Sequence, residues 1–205
     1  MRAPLGLILA GGGGHRLGGV DKAFVPLGGT ALLTRVRDRF APQLAGLAIS
    51  ANGDAARFAD YRLPVLADAG SDAGGQGPLA GILAGLDWAA AQGAFTLVSV
   101  AVDTPFLPPD LVPRLLLAAE GMQMPLVVAS GPDAGGTRLH PACGLWPVAR
   151  REDLRAALRQ GVRRLGGWAA EMGARQAFFA DGEVAFFNIN RPEDLARAEA
   201  LLTGR

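Results

Sequence analysis

One cysteine, Cys143, stands in 205 residues, so the chain can form no intramolecular disulfide and no cysteine-cluster metal site. It reads as a small buried hydrophobe. Histidine is nearly as scarce, at two residues, and His140 lies far from the other in sequence. Beside Pro141, that makes it a weak metal ligand and a better satisfied polar group or substrate contact. Neither sign of charge is in excess: 20 Lys and Arg against 19 Asp and Glu leave a net +1. This argues against a nucleic-acid-binding surface, and the 50% hydrophobic content argues against disorder. No apolar run approaches the ~20 residues that span a bilayer. The start of the chain lacks the h-region length and cleavage site of a signal peptide. The expectation is a soluble, cytoplasmic protein that binds neither membrane nor nucleic acid, with one domain over residues 1–205.

Glycine is what the chain has in quantity, at 29 residues. They concentrate in the opening run Leu5-Gly6-Leu7-Ile8-Leu9-Ala10-Gly11-Gly12-Gly13-Gly14-His15-Arg16-Leu17-Gly18-Gly19-Val20-Asp21-Lys22. An apolar strand feeds a loop whose bare backbone lets N–H groups turn toward a ligand. Arg16 and Lys22 add charge for a polyphosphate. The run is not a Walker A loop, because Ala23 follows Lys22 where Ser or Thr is required. It is not a dinucleotide fingerprint either, since the loop continues through Val25-Pro26-Leu27-Gly28-Gly29 before a helical pattern begins. Glycine-rich loops often serve only as flexible turns, but strand, amide cradle and the two cations together read as a nucleoside triphosphate site.

Short apolar runs alternate with helical patterns, which predicts an α/β fold with a mostly parallel sheet, a Rossmann-like three-layer sandwich. Strands are expected at 5–10, 47–51, 64–67, 95–102 and 126–130. Helices are expected at 31–40, 78–91, 108–120 and 150–159, with a last one after Arg191-Pro192. The stretches 68–77 and 131–137 read as loops. Ligands in open α/β sheets sit beyond the carboxyl ends of the strands, which brings the loops after Ala10, Ala51, Ala67 and Val102 to one rim.

That rim carries the polar candidates. Asp103 ends the most apolar strand and suits a hard cation such as Mg²⁺, or an Asx-turn before Pro105. Asp68 ends another strand and fits a nucleotide, a metal or solvent. Ser50 and Asn52 have side chains that suit a base or sugar, or a turn cap. Gly77-Pro78-Leu79-Ala80-Gly81 opens a helix with small residues on one side, for a nucleobase or for close packing on the sheet. Asn188 and Asn190, two apart in an extended run, share a face and can meet a ligand or cap the next helix. Arg163 and Arg164 suit an acidic second substrate or a solvated face.

Together, Leu9-Ala10-Gly11-Gly12, Arg16-Leu17-Gly18-Gly19-Val20-Asp21-Lys22, Gly77-Pro78-Leu79-Ala80-Gly81, Asp103-Thr104-Pro105 and Phe187-Asn188-Ile189-Asn190-Arg191-Pro192-Glu193-Asp194-Leu195 resemble the molybdenum cofactor guanylyltransferases, the MobA-type nucleotidyltransferases. The matches run in the family's order from residue 9 to residue 195. The chain departs from the pattern at Gly13, Gly14 and His15, where relatives often carry more polar or basic residues. The resemblance implies transfer of GMP from GTP to molybdopterin with release of pyrophosphate. It implies Mg²⁺ on Asp103 and GTP contacts from Leu9, Ala10, Gly11, Gly12, Lys22, Ser50 or Asn52, Asp68, Pro78 and Asp103. Arg16, Lys22 and Asp103 would carry catalysis, with Asn188, Asn190, Arg163 and Arg164 on the pterin side. A monomer making transient contact with molybdenum-insertion proteins and apo-molybdoenzymes is the implied setting. A CTP-using relative and a non-catalytic nucleotide binder are the alternatives.

Overall fold

A computed structural model describes residues 3–11, 21–68, 77–133 and 135–204. Gly12, Arg16 and most of the expected 68–77 loop lie outside these. The strands are β1 (Leu5–Leu9), the two-residue pair β2 (Pro26–Leu27) and β3 (Thr30–Ala31), β4 (Gly46–Ser50), β5 (Val65–Leu66), β6 (Thr96–Ala101), β7 (Val127–Asp133), β8 (Gly136–Pro147) and β9 (Arg175–Phe178). The helices are α1 (Leu32–Phe40), α2 (Pro78–Ala91), α3 (Leu111–Ala118), α4 (Arg151–Arg159), α5 (Leu165–Glu171), α6 (Gly182–Ala185) and α7 (Pro192–Thr203).

Seven strands form one sheet in the order β5-β4-β1-β6-β8-β7-β9. All pairings are parallel except those of β8, which runs against both β6 and β7. The alternation of strand side chains divides the core into two layers. Ile8, Ile49, Val98, Val100 and Val127 face α1 and α3 through Leu33, Val36, Phe40, Leu111 and Leu115. Leu7, Ala48, Leu97, Val128 and Trp146 face α2, α4 and α5 through Ile82, Leu86, Leu154 and Trp168. Helices therefore cover both faces, as the apolar parallel strands require. A third cluster joins Val25, Leu27 and Leu32 to Ile189 and Ala198, which seats α7 beside the β2–β3 pair. Among the described residues, no helix is long and apolar enough to cross a membrane.

The stretch 131–137 corrects its reading as a loop: β7 continues to Asp133 and β8 begins at Gly136. Strand pairing overrides the Gly and Pro content there because the register from Ala129↔His140 to Asp133↔Gly136 makes a hairpin, whose Ala129 and Ser130 also pair with β9. The register then jumps to Val128↔Gly144, leaving residues 141–143 as a bulge. Pro141 falls in that bulge, where no ladder N–H is needed.

The hairpin packs on α6 through two glycines. A Cβ on Gly131 would lie 2.8 Å from the Gly182 Cα and 3.3 Å from the Phe179 carbonyl oxygen. Both obstacles are backbone, so rotamer changes cannot relieve the clash. Gly131→Ala should cost about 1–3 kcal/mol in urea denaturation by forcing β7 and α6 apart, and an unchanged midpoint would contradict this packing.

Candidate functional site

The carboxyl ends of β1, β4, β5 and β6 meet on one rim, and the parallel ladder continues slightly past each strand. The Ala10 N–H donates to the Ser50 carbonyl at 2.8 Å, Ala51 N–H to Leu66 at 3.0 Å, and Val102 N–H to Leu9 at 3.1 Å. These bonds fix the starts of the loops carrying Gly11, Asn52, Asp68 and Asp103.

On one side of the rim, Asp68 is the hub. Asn52 donates Nδ2–H to Asp68 Oδ2 at 2.8 Å and accepts the Asp68 backbone N–H on its Oδ1 at 3.0 Å. The Ser50 hydroxyl donates to Asp68 Oδ1 at 3.3 Å. Ser50 is buried at 1% exposure and lies under α2, since a Cβ on Gly81 would sit 2.5 Å from its Oγ. Asn52 is half-buried and lies beside Gly11, whose Cβ would be 4.0 Å from both Asn52 Nδ2 and Asp68 Oδ2. The small residues of α2 thus serve close packing on the sheet: a Cβ on Gly85 would stand 2.6 Å from Leu7 Cδ2 and 2.8 Å from Leu97 Cδ2. Pro78 occupies the first turn of α2, after Gly77 at φ +74°, a conformation that glycine supplies without strain.

At the centre, Lys22 sits in a one-turn 3₁₀ helix whose cap, Asp21, accepts the Ala23 N–H at 3.0 Å. Lys22 Nζ donates to Asp103 Oδ2 at 2.9 Å and to Asn190 Oδ1 at 2.6 Å. Both ion-pair side chains are largely enclosed, at 13% and 18% exposure. The Asp103 side chain thus meets Lys22, and the C-terminal segment is drawn in by backbone: Ile189 N–H donates to the Asp103 carbonyl at 2.9 Å. The Thr104 hydroxyl donates to Asn188 Oδ1 at 2.9 Å. The two asparagines flank a fully buried Ile189 and reach toward the rim. The capping of α7 falls to Asp194, which accepts the N–H groups of Asn190 and Arg191 at 2.9 Å each.

Arg57, absent from the sequence expectations, braces this centre. It donates to Asp21 Oδ2 at 2.9 Å, to the Asn52 carbonyl at 2.7 Å and to the Asp54 carbonyl at 2.7 Å. Arg57 lies in a 3₁₀ helix, Ala55–Tyr61, capped by Asp54, and sequence spacing gives no sign of its long-range partner, Asp21.

Beyond Asn190 opens a cavity of about 520 Å³ between the β7–β8 hairpin and the α6–α7 region, lined by Arg138, His140, Phe186, Asn188, Asn190 and Arg191 among others. Arg163 and Arg164 sit elsewhere, in the turn between α4 and α5. Arg163 donates there to the carbonyls of Leu158 and Val162. Cys143 is buried, and burial pushes its thiol up to about 12, so it stays protonated and serves packing.

The oxygens beside Lys22 are of the hard kind a divalent cation takes: the Asp103 carboxylate and the Asn190 amide oxygen that shares its ammonium partner. Among the described residues, no group of three His, Cys, Asp or Glu is assembled for a metal. A single carboxylate such as Asp103 could anchor a divalent cation whose remaining ligands are substrate phosphates and water.

A mostly parallel α/β sheet that gathers Lys22, Asn52, Asp68 and Asp103 at one rim has the architecture of proteins that take ligands at their strand ends. The chain belongs to the MobA-like NTP transferase family, whose model matches residues 6–173. It is 59% identical over 197 residues to a Cereibacter sphaeroides protein named molybdenum cofactor guanylyltransferase, with 96% of each chain covered. A protein of that name from Rhodopseudomonas palustris is 48% identical over 97% of this chain and 92% of its own. In fold, molybdopterin-guanine dinucleotide biosynthesis protein A from Archaeoglobus fulgidus aligns at a TM-score of 0.74 and 23% identity, covering 98% of this chain and 100% of that one. The 2-C-methyl-D-erythritol 4-phosphate cytidylyltransferase of Thermus thermophilus aligns at 0.69 and 22%, covering 99% and 100%.

His140 supplies a pH signature. Burial and the nearby Arg138 charge lower its pKa from the usual 6.5 to about 4, with Asp133 opposing them. Between those values the unfolded chain binds more protons than the folded one, so this group's contribution to stability falls as pH drops through 6.5 toward 4. The loss of melting temperature between about pH 7 and about pH 5 should be smaller in His140→Leu than in the wild type. Equal losses would contradict a neutral, desolvated ring.

Proposed function

We propose that this nucleotidyltransferase transfers GMP from GTP to molybdopterin, releasing pyrophosphate and forming molybdopterin guanine dinucleotide. The observation that carries the reading is the junction at Lys22, where one ammonium links the strand-end carboxylate Asp103 to Asn190 at the mouth of a second cleft. A donor nucleotide on the Gly11–Asn52–Asp68 side and an acceptor in the cleft would then meet at Asp103. High identity along nearly the whole chain to proteins named for this activity supports the choice of donor and acceptor.

The acceptor's terminal phosphate oxygen attacks the α-phosphorus of GTP, and the bond to the β-phosphate oxygen breaks as pyrophosphate leaves. The nucleophile is already ionised at neutral pH, so no side chain has to remove a proton. Catalysis then reduces to positioning and to stabilising charge. Lys22 exchanges its contacts for phosphate oxygens, acting as a point charge. Arg16 and the amides of the opening loop, Gly12 included, assist at the leaving pyrophosphate. Asp103, freed from Lys22, would hold Mg²⁺, which when bound neutralises phosphate charge. Ser50, Asn52 and Asp68 orient the base or ribose, with Leu9, Ala10, Gly11 and Pro78 lining the nucleotide's path. Asn188 and Asn190 address the pterin, whereas Arg163 and Arg164, held in the turn between α4 and α5, are assigned no part in that cleft. In this reading the enzyme is a cytoplasmic monomer that passes its product to apo-molybdoenzymes through transient contacts.

The deciding experiment incubates the enzyme with molybdopterin, Mg²⁺ and either GTP or CTP, and follows pyrophosphate and dinucleotide. Product from GTP alone is expected, and preference for CTP would move the activity to cytidylyl transfer. Asp103→Ala should lower turnover by at least about 10²-fold while circular dichroism stays native. Near-normal rates would remove Asp103 from the reaction. Lys22→Ala should weaken GTP binding by about 10- to 100-fold in calorimetry, the worth of a charged hydrogen bond. Unchanged affinity would remove Lys22 from the phosphate site.

A further inference from the structure

The large cavity adjoins a smaller compartment of about 150 Å³ that includes Thr104 and Cys143, and both are lined by Arg138, His140, Phe186 and Asn188. Thr104 neighbours Asp103 in sequence, so the smaller compartment lies against the reaction centre. His140 stands where the two spaces join.

Its ring is held from behind by a run of packed groups. His140 stacks on Phe186 with centroids 4.6 Å apart at 27°, and Phe186 meets Phe179 edge-on at 5.1 Å. The Arg114 guanidinium covers Phe179 at 3.8 Å. The imidazole is therefore fixed before any ligand arrives. Its Nε2 atom is buried and has no hydrogen-bond partner among the described residues. Buried polar atoms in native proteins are nearly always paired, so an orphan on a residue that lines both cavities calls for an explanation. The cationic Arg138 and anionic Asp133 both act on the ring electrostatically. An uncharged imidazole carries one donor and one acceptor nitrogen, and so matches the edge of a nitrogen heterocycle better than a phosphate.

We propose that His140 is a specificity-determining residue for the acceptor, exchanging a hydrogen bond with the acceptor's heterocyclic ring system as that ring fills the junction of the two compartments. The inference rests on the reading of this cleft as the acceptor site. Removing the polar atoms of His140 then loosens the acceptor and leaves GTP untouched, because the nucleotide is held across the rim at Gly11, Asn52 and Asp68.

Two measurements test it. In steady-state assays with GTP and molybdopterin, His140→Leu should raise the acceptor KM about tenfold, hold kcat within about twofold and leave GTP affinity as it was. His140→Gln, which keeps a polar end, should recover most of the loss. In wild-type protein labelled with ¹⁵N-histidine, the His140 ring nitrogens should shift when molybdopterin is added without GTP, a readout that holds even if the leucine variant does not fold. A folded His140→Leu with wild-type acceptor KM, an equal loss of GTP affinity, or ring nitrogens that do not shift would each overturn the assignment. A wild type that transfers no GMP to molybdopterin would instead overturn the guanylyltransferase reading, and this inference with it.

Discussion

The site is organised around the ammonium group of Lys22. It donates to a carboxylate 81 residues away and to an amide 168 residues away, and so pulls three distant parts of the chain to one point. Its setting is largely enclosed, where a charge without a partner is costly and a paired, hydrogen-bonded one is tolerated. The surrounding structure supplies that pairing. Asp21 caps the turn that carries Lys22, Arg57 anchors Asp21, and the Ile189 N–H docks the asparagine segment on the backbone of Asp103. In the proposed reading, a nucleotide enters an arrangement in which its phosphates take over the contacts of Lys22. This is how a site can be preorganised and still open.

What could be read in the sequence follows from burial. The strands β1, β4, β5 and β6 are legible because parallel strands covered on both faces are apolar almost throughout. Their carboxyl ends then locate Asp103, Asn52 and Asp68 by a general rule of open sheets. The helices α1, α2 and α4 announce themselves within one residue or so of their bounds. Strand β8 does not, because its first half is an exposed hairpin arm containing Gly136, Arg138, His140 and Pro141, residues that depress strand character. Short β9, Arg-Gln-Ala-Phe, exposed at all but Ala177, carries no usable pattern either.

The site was legible one residue at a time more than as a set of contacts. Asp103 and Lys22 stood out by position, but their direct ion pair depends on the fold of the whole chain. Ser50 and Asn52 were equivalent in sequence. In the structure one lies buried beneath α2 and the other stands half-buried beside Gly11, because the strand ends between them and the next residue enters a loop. Arg138, Phe186 and Arg191 line the second cleft from elements whose meeting depends on the β7–β8 hairpin, so without β8 the cleft has no wall. Arg163 and Arg164, prominent as a charged pair, sit instead at the turn joining two helices.

The reversed direction of β8 has a consequence for how such an enzyme can change. A sheet of purely parallel strands would present only loops at its ligand rim. Here one strand arrives at that rim from outside it, paired to β6 only between Ser99↔Gly144 and Thr96↔Pro147, with its earlier residues free of the central ladder. Lengthening, shortening or recolouring that arm leaves the register of β1, β4 and β6 untouched, and with it the rim that carries Asn52, Asp68 and Asp103. With the acceptor seated in this cleft, as proposed, donor and acceptor preferences would be separable, and a change of acceptor would leave the nucleotide that drives the transfer as it is.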